Sequence, residues 1–284
     1  MVESRKRSRS LSTSLRSSGT HSVASPVPTK AASKGNKRRK VEYTHSAPSN
    51  SGFFTTSRPT TTEAREVYAL LCDAHGTPTA AAPEANVLEG LIATILSQST
   101  SGVNSSRAKS GLDAAFGRNN FSAIAEAPLE RIIDAIRCGG LAKKKAATIQ
   151  KLLSAVNKRH GSYSLQSLAE GPRKTDAEVT TELVSYAGVG PKTAACVLSL
   201  CLSREAFAVD THVWRLSKVL GWVPDTADRV RTQAHLEERL PAELKLGLHA
   251  LMMRHGRTCT GCKKDGDGAC ILKTYRGVRD AALE

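Results

Sequence analysis

The feature that most constrains the fold of this chain is a three-residue turn, Gly188-Val189-Gly190, between two apolar stretches. The stretches, at about 176–186 and 191–203, carry apolar residues at helical spacing, so the turn must join two helices as a tight hairpin. Because glycine tolerates positive φ, we expect left-handed backbone at both glycines. Val189 is expected to fill the gap between the two helices.

The chain from Thr61 onward has helical character throughout. Apolar residues recur at helical spacing in successive stretches that begin at caps such as Asn86 and end at glycines such as Gly76. No stretch shows the period-two alternation that is typical of strands. The pattern predicts an all-α body of some ten helices with short connections. No apolar run reaches the roughly 20 residues that span a bilayer, so we expect no membrane association.

Residues 1–60 have a different composition, rich in Ser, Thr, Pro, Lys and Arg. Such a segment cannot offset its ordering entropy, and we expect it to be disordered. It holds 12 of the 41 Lys and Arg residues against two acids, and so supplies most of the net charge of +15. The cluster Lys37, Arg38, Arg39 and Lys40 predicts a nuclear import signal bound by an import receptor. Two alternatives are a solvated basic tail and, since the start is Arg- and Ser-rich, a mitochondrial address.

Lys192 occupies an unusual position for a structural residue. The first turn of a helix carries partial positive charge and favours acids, whereas an amine there is a candidate nucleophile. Asp210, 18 residues later, can cap a helix that starts at Thr211 and return to the vicinity of Lys192. The alternatives are a simple phosphate contact for Lys192 and a pure N-cap for Asp210. The N–H groups of the turn itself form a phosphate site at a helix N-terminus, which indicates binding to a DNA backbone.

The stretches "LVSYAGVGPKTAACVL" and "FAVDTHVWR" together resemble the helix-hairpin-helix-Gly-Pro-Asp (HhH-GPD) superfamily of DNA glycosylases, specifically its endonuclease III-like branch. The resemblance runs from about Thr61 to Tyr275. It implies a two-lobed, all-α, monomeric enzyme over residues 61–284 that binds double-stranded DNA in the cleft between its lobes. Lobe one is expected at about 86–203, and lobe two combines about 61–85 with 204–284.

The resemblance also implies roles for individual residues. In the family the lysine attacks C1′ of the damaged nucleotide, expels the base and forms a Schiff base that leads to strand cleavage by β-elimination. Lys192 would be this nucleophile, and Asp210 the carboxylate that assists it. The matching residues predict a bifunctional glycosylase and lyase of base-excision repair.

Two further segments match the family. "ILSQSTSGVNSSRA" would place Gln98 in the gap left by a flipped nucleotide, and "IRCGGLAKKKA" would insert Leu141 into the base stack. Lys143 and Lys144, with Lys145, would reach phosphates. The alternatives are a solvent-facing glutamine, a buried loop leucine and a solvated charge run.

The C-terminal cysteines depart from the family pattern. Endonuclease III relatives usually end in four cysteines that hold an iron–sulfur cluster, whereas this chain offers Cys259, Cys262 and Cys270, with none after them. Because the cluster needs four thiolates as a rule, we expect an incomplete pattern with no cofactor and no metal. A zinc site with His255 or His249 as fourth ligand is the alternative.

The substrate is not determined by these motifs. Oxidised pyrimidines are the family default and the favoured prediction. However, "VDTHVWRLSKVLGWVP" also resembles the corresponding segment of plant 5-methylcytosine glycosylases. A third alternative is a non-catalytic helix-hairpin-helix module that binds DNA, which would have no reason to keep Lys192 and Asp210 together.

Overall fold

The computed structural model describes residues 54, 56–79, 84–170, 174–263, 266 and 268–281. The predicted tail lies outside the described residues except at its end, and so does its import cluster. In the described part, 13 α-helices and two short 3-10 helices form the fold and no strand is present, which confirms the all-α prediction. Every helix in these ranges is too short or too polar to span a bilayer.

The helices have the following bounds. They are α1 (Thr61–His75), α2 (Val87–Ser97), α3 (Gly102–Phe116), α4 (Phe121–Glu126), α5 (Leu129–Ala135), α6 (Ala142–His160), α7 (Ser167–Glu170), α8 (Asp176–Ser185), α9 (Pro191–Cys201), α10 (Thr211–Val219), α11 (Arg229–Arg239), α12 (Lys245–Thr258) and α13 (Ile271–Ala281), with 3-10 helices at Arg137–Gly139 and Ala242–Leu244.

The apolar side chains form two cores. The first lies among α2–α9, where the almost wholly buried helix α2 packs against α3, α6 and α9. The second is built by α1 and α10–α13 around Phe207 and Trp222, and there α12 packs against α1 and α10. Since each large side chain fully removed from water contributes about 1.5–3 kcal/mol, both cores are substantial. The hairpin that joins α8 to α9 belongs to the first core.

The hairpin needs only one of its two glycines for conformational reasons. Gly188 has φ +86°, and a Cβ there would lie 2.4 Å from Cγ2 of Thr148. Gly190, by contrast, has an extended backbone with φ −112° as the N-cap of α9, and a Cβ there would meet no atom within 4 Å. The expected left-handed backbone is therefore confirmed at Gly188 and wrong at Gly190. Val189 is 7% exposed and fills the first core, as expected.

Candidate active site and DNA interface

A cleft of about 870 Å³ brings together the N-termini of four helices, α3, α9, α10 and α11, with the end of α2 and one face of α12. Lys192 and Asp210 both line it, so the structure joins the two residues that the sequence separates by 18 positions. Among the described lining residues Asp210 is the only carboxylate, whereas Lys192, Arg229 and Arg257 all bring positive charge. A cleft of this charge fits a polyanionic ligand.

Lys192 is the second residue of α9 and is half-buried. Pro191 before it occupies the first helical position, where its missing N–H leaves no bond unmade. No described residue forms a hydrogen bond or an ion pair with the Lys192 side chain. Its nitrogen is therefore free to contact a ligand in the cleft.

Asp210 is held rigidly at the start of α10. Its Oδ1 atom accepts hydrogen bonds from the backbone N–H groups of His212 and Val213, each at 2.8 Å. The expected N-cap is thus present. It fixes the position of the carboxylate through one of its two oxygens only. Within the described part of the chain, Oδ2 accepts no hydrogen bond from the protein. The carboxylate can cap the helix and still act in the cleft.

His249, on α12, borders the same cleft and was not assigned there from sequence. Its Nδ1 lies 2.7 Å from the carbonyl oxygen of Ala208, and since a carbonyl only accepts, Nδ1 carries the proton. Burial, with the positive charge of Lys192, lowers the pKa of His249, while Asp210 opposes this shift. The neutral ring therefore leaves Nε2 as a hydrogen-bond acceptor.

Gln98 is the C-cap of α2 and lies beside the hairpin. Its Nε2 atom donates to Oγ1 of Thr193 at 3.4 Å, one residue beyond Lys192. Ser99, which follows it, has φ +52°, a left-handed conformation that is uncommon for a residue with a side chain. Gln98 and Ser99 both line the cleft. Gln98 is half-buried at this position.

Leu141 is exposed rather than buried in a loop. It is the N-cap of α6, has φ +51° and is 56% accessible to solvent. Exposing an apolar side chain to water costs free energy, and so does a left-handed backbone at a residue that has a Cβ. Such strain clusters at functional sites. Lys143 and Lys144 beside it are exposed.

The position of Lys145 contradicts part of the prediction that three adjacent lysines reach phosphates. It is only 4% exposed, and its ammonium group donates to the carbonyl oxygens of Leu96 at 2.7 Å and Gly139 at 2.8 Å. Burial lowers the pKa of Lys145. The residue ties the end of α2 to the turn that precedes α6 inside the protein, so the phosphate-binding prediction is wrong for Lys145.

A second group of chemically reactive side chains lies at the end of α12. Cys259, Cys262 and Cys270 converge with His255, and the four candidate ligand atoms all lie within 4.8 Å of one another. His249 is not part of this group, because it lies in the cleft. Of the two histidines considered as a fourth ligand, only His255 has the required position.

Comparison with known proteins identifies the family. Residues 92–242 match the HhH-GPD superfamily of base excision DNA repair proteins. The chain belongs to this superfamily. A predicted DNA glycosylase of Arabidopsis thaliana is 44% identical over 182 residues, which cover 64% of this chain and 60% of that protein. Endonuclease III of Sulfolobus acidocaldarius is 28% identical over 190 residues, 67% of this chain and 81% of that enzyme.

The HhH-GPD assignment extends to the three-dimensional fold. The structure of a trapped endonuclease III–DNA covalent intermediate covers 78% of this chain and 99% of the solved chain, with a TM-score of 0.62 and 26% identity. The predicted endonuclease III-like branch is confirmed by these matches. The match to the Arabidopsis protein spans less than two thirds of that relative's length.

Proposed function

We propose that this HhH-GPD protein is a bifunctional DNA glycosylase and lyase of base-excision repair, acting on oxidised pyrimidines in double-stranded DNA. The observation that supports the proposal most strongly is the shared cleft of Lys192 and Asp210. One offers a nitrogen with no described protein partner, and the other offers a carboxylate that is fixed by two backbone N–H groups. A module that only binds DNA has no need for this pair.

In the proposed reaction the lone pair on Nζ of Lys192 bonds to C1′ while the bond from C1′ to the base breaks. The base leaves with the bonding electrons and takes up a proton. Asp210 stabilises the positive charge that develops on the sugar. Loss of protons from the attached amine and opening of the sugar give an imine, and removal of a C2′ proton then breaks the C3′–O bond.

Binding of the DNA backbone would use the hairpin and the basic residues around it. The N–H groups of Gly188 and Gly190 have no acceptor among the described residues, so they are available to a phosphate at the start of α9. Lys143 and Lys144 lie exposed on α6. Contacts of this kind fix the position of the duplex and carry no sequence information.

Extrusion of the target nucleotide would use Leu141 and Gln98. A base-flipping enzyme must fill the gap that it opens in the stack, and an exposed leucine held outward at the start of α6 has the right character for a wedge. Gln98 lies next to the hairpin through its bond to Thr193. The two residues would act from two loops on the same gap.

The chemistry of the cleft favours an oxidised pyrimidine over 5-methylcytosine. No Phe, Tyr or Trp lies among its described lining residues, whereas Gln233 and His249 offer hydrogen-bonding groups. Oxidation that saturates the 5,6 double bond of a pyrimidine removes the planarity of the ring and adds hydroxyl groups, so polar contacts serve such a base better than stacking does. 5-Methylcytosine keeps a planar ring and adds only an apolar methyl group.

The proposal is tested by base release from matched duplexes that contain an oxidised pyrimidine, 5-methylcytosine or an undamaged base. We expect release of the oxidised pyrimidine alone. Asp210→Asn should retain binding but slow release by about 100-fold or more, since removing one stabilising group from a developing charge has cost that much elsewhere. Asp73→Asn, an exposed acid on α1 outside the cleft, is the control and should behave as wild type. Binding of DNA without release from any duplex would favour the non-catalytic module.

A further inference from the structure

The group at the end of α12 does not match the iron–sulfur cluster that the endonuclease III resemblance implies. Such clusters are held by four cysteine thiolates as a rule, and the ligand atoms grouped here are three thiols and one imidazole. Three sulfurs and one nitrogen, by contrast, are one of the usual ligand sets of structural zinc. We propose that His255, Cys259, Cys262 and Cys270 bind a single Zn²⁺ as a closed, tetrahedral, structural site.

The spacing of the ligand atoms fits one ion. A tetrahedron with a Zn–S bond of about 2.3 Å and a Zn–N bond of about 2.0 Å has an S···N edge of about 3.5 Å. The structure has 3.6 Å between Sγ of Cys270 and Nε2 of His255. All remaining separations stay within 4.8 Å, so a single ion placed centrally reaches each ligand after small side-chain shifts.

His75 orients the imidazole for metal binding. Its Nε2 atom lies 2.8 Å from Nδ1 of His255, on the side of the ring that faces away from Cys270. A hydrogen bond from Nδ1–H of His255 to His75 fixes the tautomer that leaves Nε2 free for a metal. Metal-bound histidines are almost always held by such an outer partner. Because His75 is the last residue of α1, the site also links that helix to α12.

Arg215 supplies the charge that a three-thiolate site needs. Zn²⁺ with three thiolates carries a net charge of −1, which is costly to bury without a cation nearby. Arg215 lines the same cavity as Cys262, and its Nη2 atom donates to the carbonyl of Gly256 at 2.8 Å. Its Nη1 atom is buried and has no hydrogen-bond partner among the described residues. A thiolate sulfur of the metal site would provide that partner.

The site would support the wall of the cleft. Gly256 lies so close to His212 that a Cβ there would approach Cβ of His212 to 2.7 Å. His212 follows Asp210 by two residues and donates its N–H to that carboxylate. A metal that fixes the end of α12 would therefore also hold the start of α10, where Asp210 lies.

Elemental analysis of the full-length protein, purified in buffers without chelator, tests the proposal. We expect about one zinc per chain, and cobalt taken up in its place should give the intense visible absorption of a tetrahedral thiolate site. Cys262→Ser should lose the metal, whereas Cys138→Ser, at an exposed cysteine outside the group, should keep it. His75→Ala keeps all four ligands and should weaken zinc binding about 10- to 100-fold.

Either of two results would exclude a bound zinc. One is about four irons per chain with the broad absorption of an iron–sulfur centre. The other is a folded protein that holds no zinc and takes up no cobalt. Retention of stoichiometric zinc by Cys262→Ser would also contradict the assigned ligand set. None of these readouts depends on glycosylase activity, so the metal site can fail while the proposed function stands.

Discussion

The buried ammonium group of Lys145 donates a 2.7 Å hydrogen bond to the backbone carbonyl of Leu96, near the end of α2. The same group donates to the carbonyl of Gly139, in the turn that precedes Leu141. One side chain thus joins the loop that presents Leu141 to the helix end that presents Gln98. The two residues proposed to act on one gap in the DNA are held in a fixed relation by a third that never reaches the DNA.

Replacement of Lys145 should affect both stability and lesion recognition. Lys145→Met keeps most of the apolar stem but leaves two buried carbonyls without a donor, which costs about 1–3 kcal/mol. We expect denaturant unfolding to show a loss of that size and lesion binding to weaken more than binding to intact DNA. Lys143→Met, two residues away and exposed, should leave stability within about 0.5 kcal/mol of wild type. Equal stability of both variants would show that the Lys145 bonds contribute nothing.

Truncation of Leu141 or Gln98 should weaken binding to a lesion duplex more than binding to intact DNA. Leu141→Ala and Gln98→Ala each remove a side chain expected to fill the vacated stack, at a cost of about 1–3 kcal/mol in affinity for a lesion duplex. Affinity for intact DNA, which depends on phosphates, should change little. Val278→Ala, at an apolar residue of 67% exposure on α13, is the matched control in a fluorescence binding assay. Equal losses on damaged and intact duplexes would instead point to a backbone contact.

The neutral state of His249 predicts a pH-dependent loss of stability. Burial lowers the pKa of His249 below its ordinary value near 6.5, so the unfolded chain takes up the proton first as pH falls. The stabilisation is fully present above about pH 6.5 and is lost as pH falls through that value toward the folded pKa. Thermal unfolding from pH 8 to pH 5 should therefore show a smaller decline in His249→Asn than in wild type. Parallel declines would contradict this assignment.

The basic tail predicts nuclear import. A reporter fused to residues 1–60 should enter nuclei, because the cluster Lys37–Lys40 has the composition of an import signal. Changing these four residues to Ala should leave the reporter cytoplasmic, as fluorescence microscopy would show. A reporter that is nuclear in both forms, or that enters mitochondria, would exclude the import signal.

Periodicity predicted most of the fold but missed some of its helices. Helices α8 and α9 were found within two residues of their ends, because apolar spacing and the turn between them agree. Helix α3, Gly102–Phe116, was not found, because only Ala108, Leu112 and Phe116 are buried in a stretch rich in Ser and Gly. The N-cap residue Ser101 can be recognised in the sequence. The packing that stabilises helix α3, however, comes from helices that are distant in the chain.

The site could be predicted from the sequence only in part, because the positions of its side chains depend on contacts between residues that are distant in the chain. The Lys192–Asp210 pair was found by spacing and resemblance, and both residues line the cleft. Lys145, next to two exposed lysines, differs from them only because α6 turns it inward. The role of His255 beside three cysteines depends on how the chain returns from Cys262 to Cys270, which spacing alone leaves open.

In the proposed function, the decisive step is the covalent bond that Lys192 forms to the sugar of its DNA substrate. The most direct test is incubation with abasic-site duplex and borohydride, followed by mapping of the cross-linked peptide. We expect a trapped complex with the link at Lys192. Lys192→Gln should bind the duplex without being trapped, whereas Lys151→Gln, at an exposed lysine on α6, should be trapped as wild type. No trapped complex from the wild-type protein, or trapping at another residue, would contradict the account.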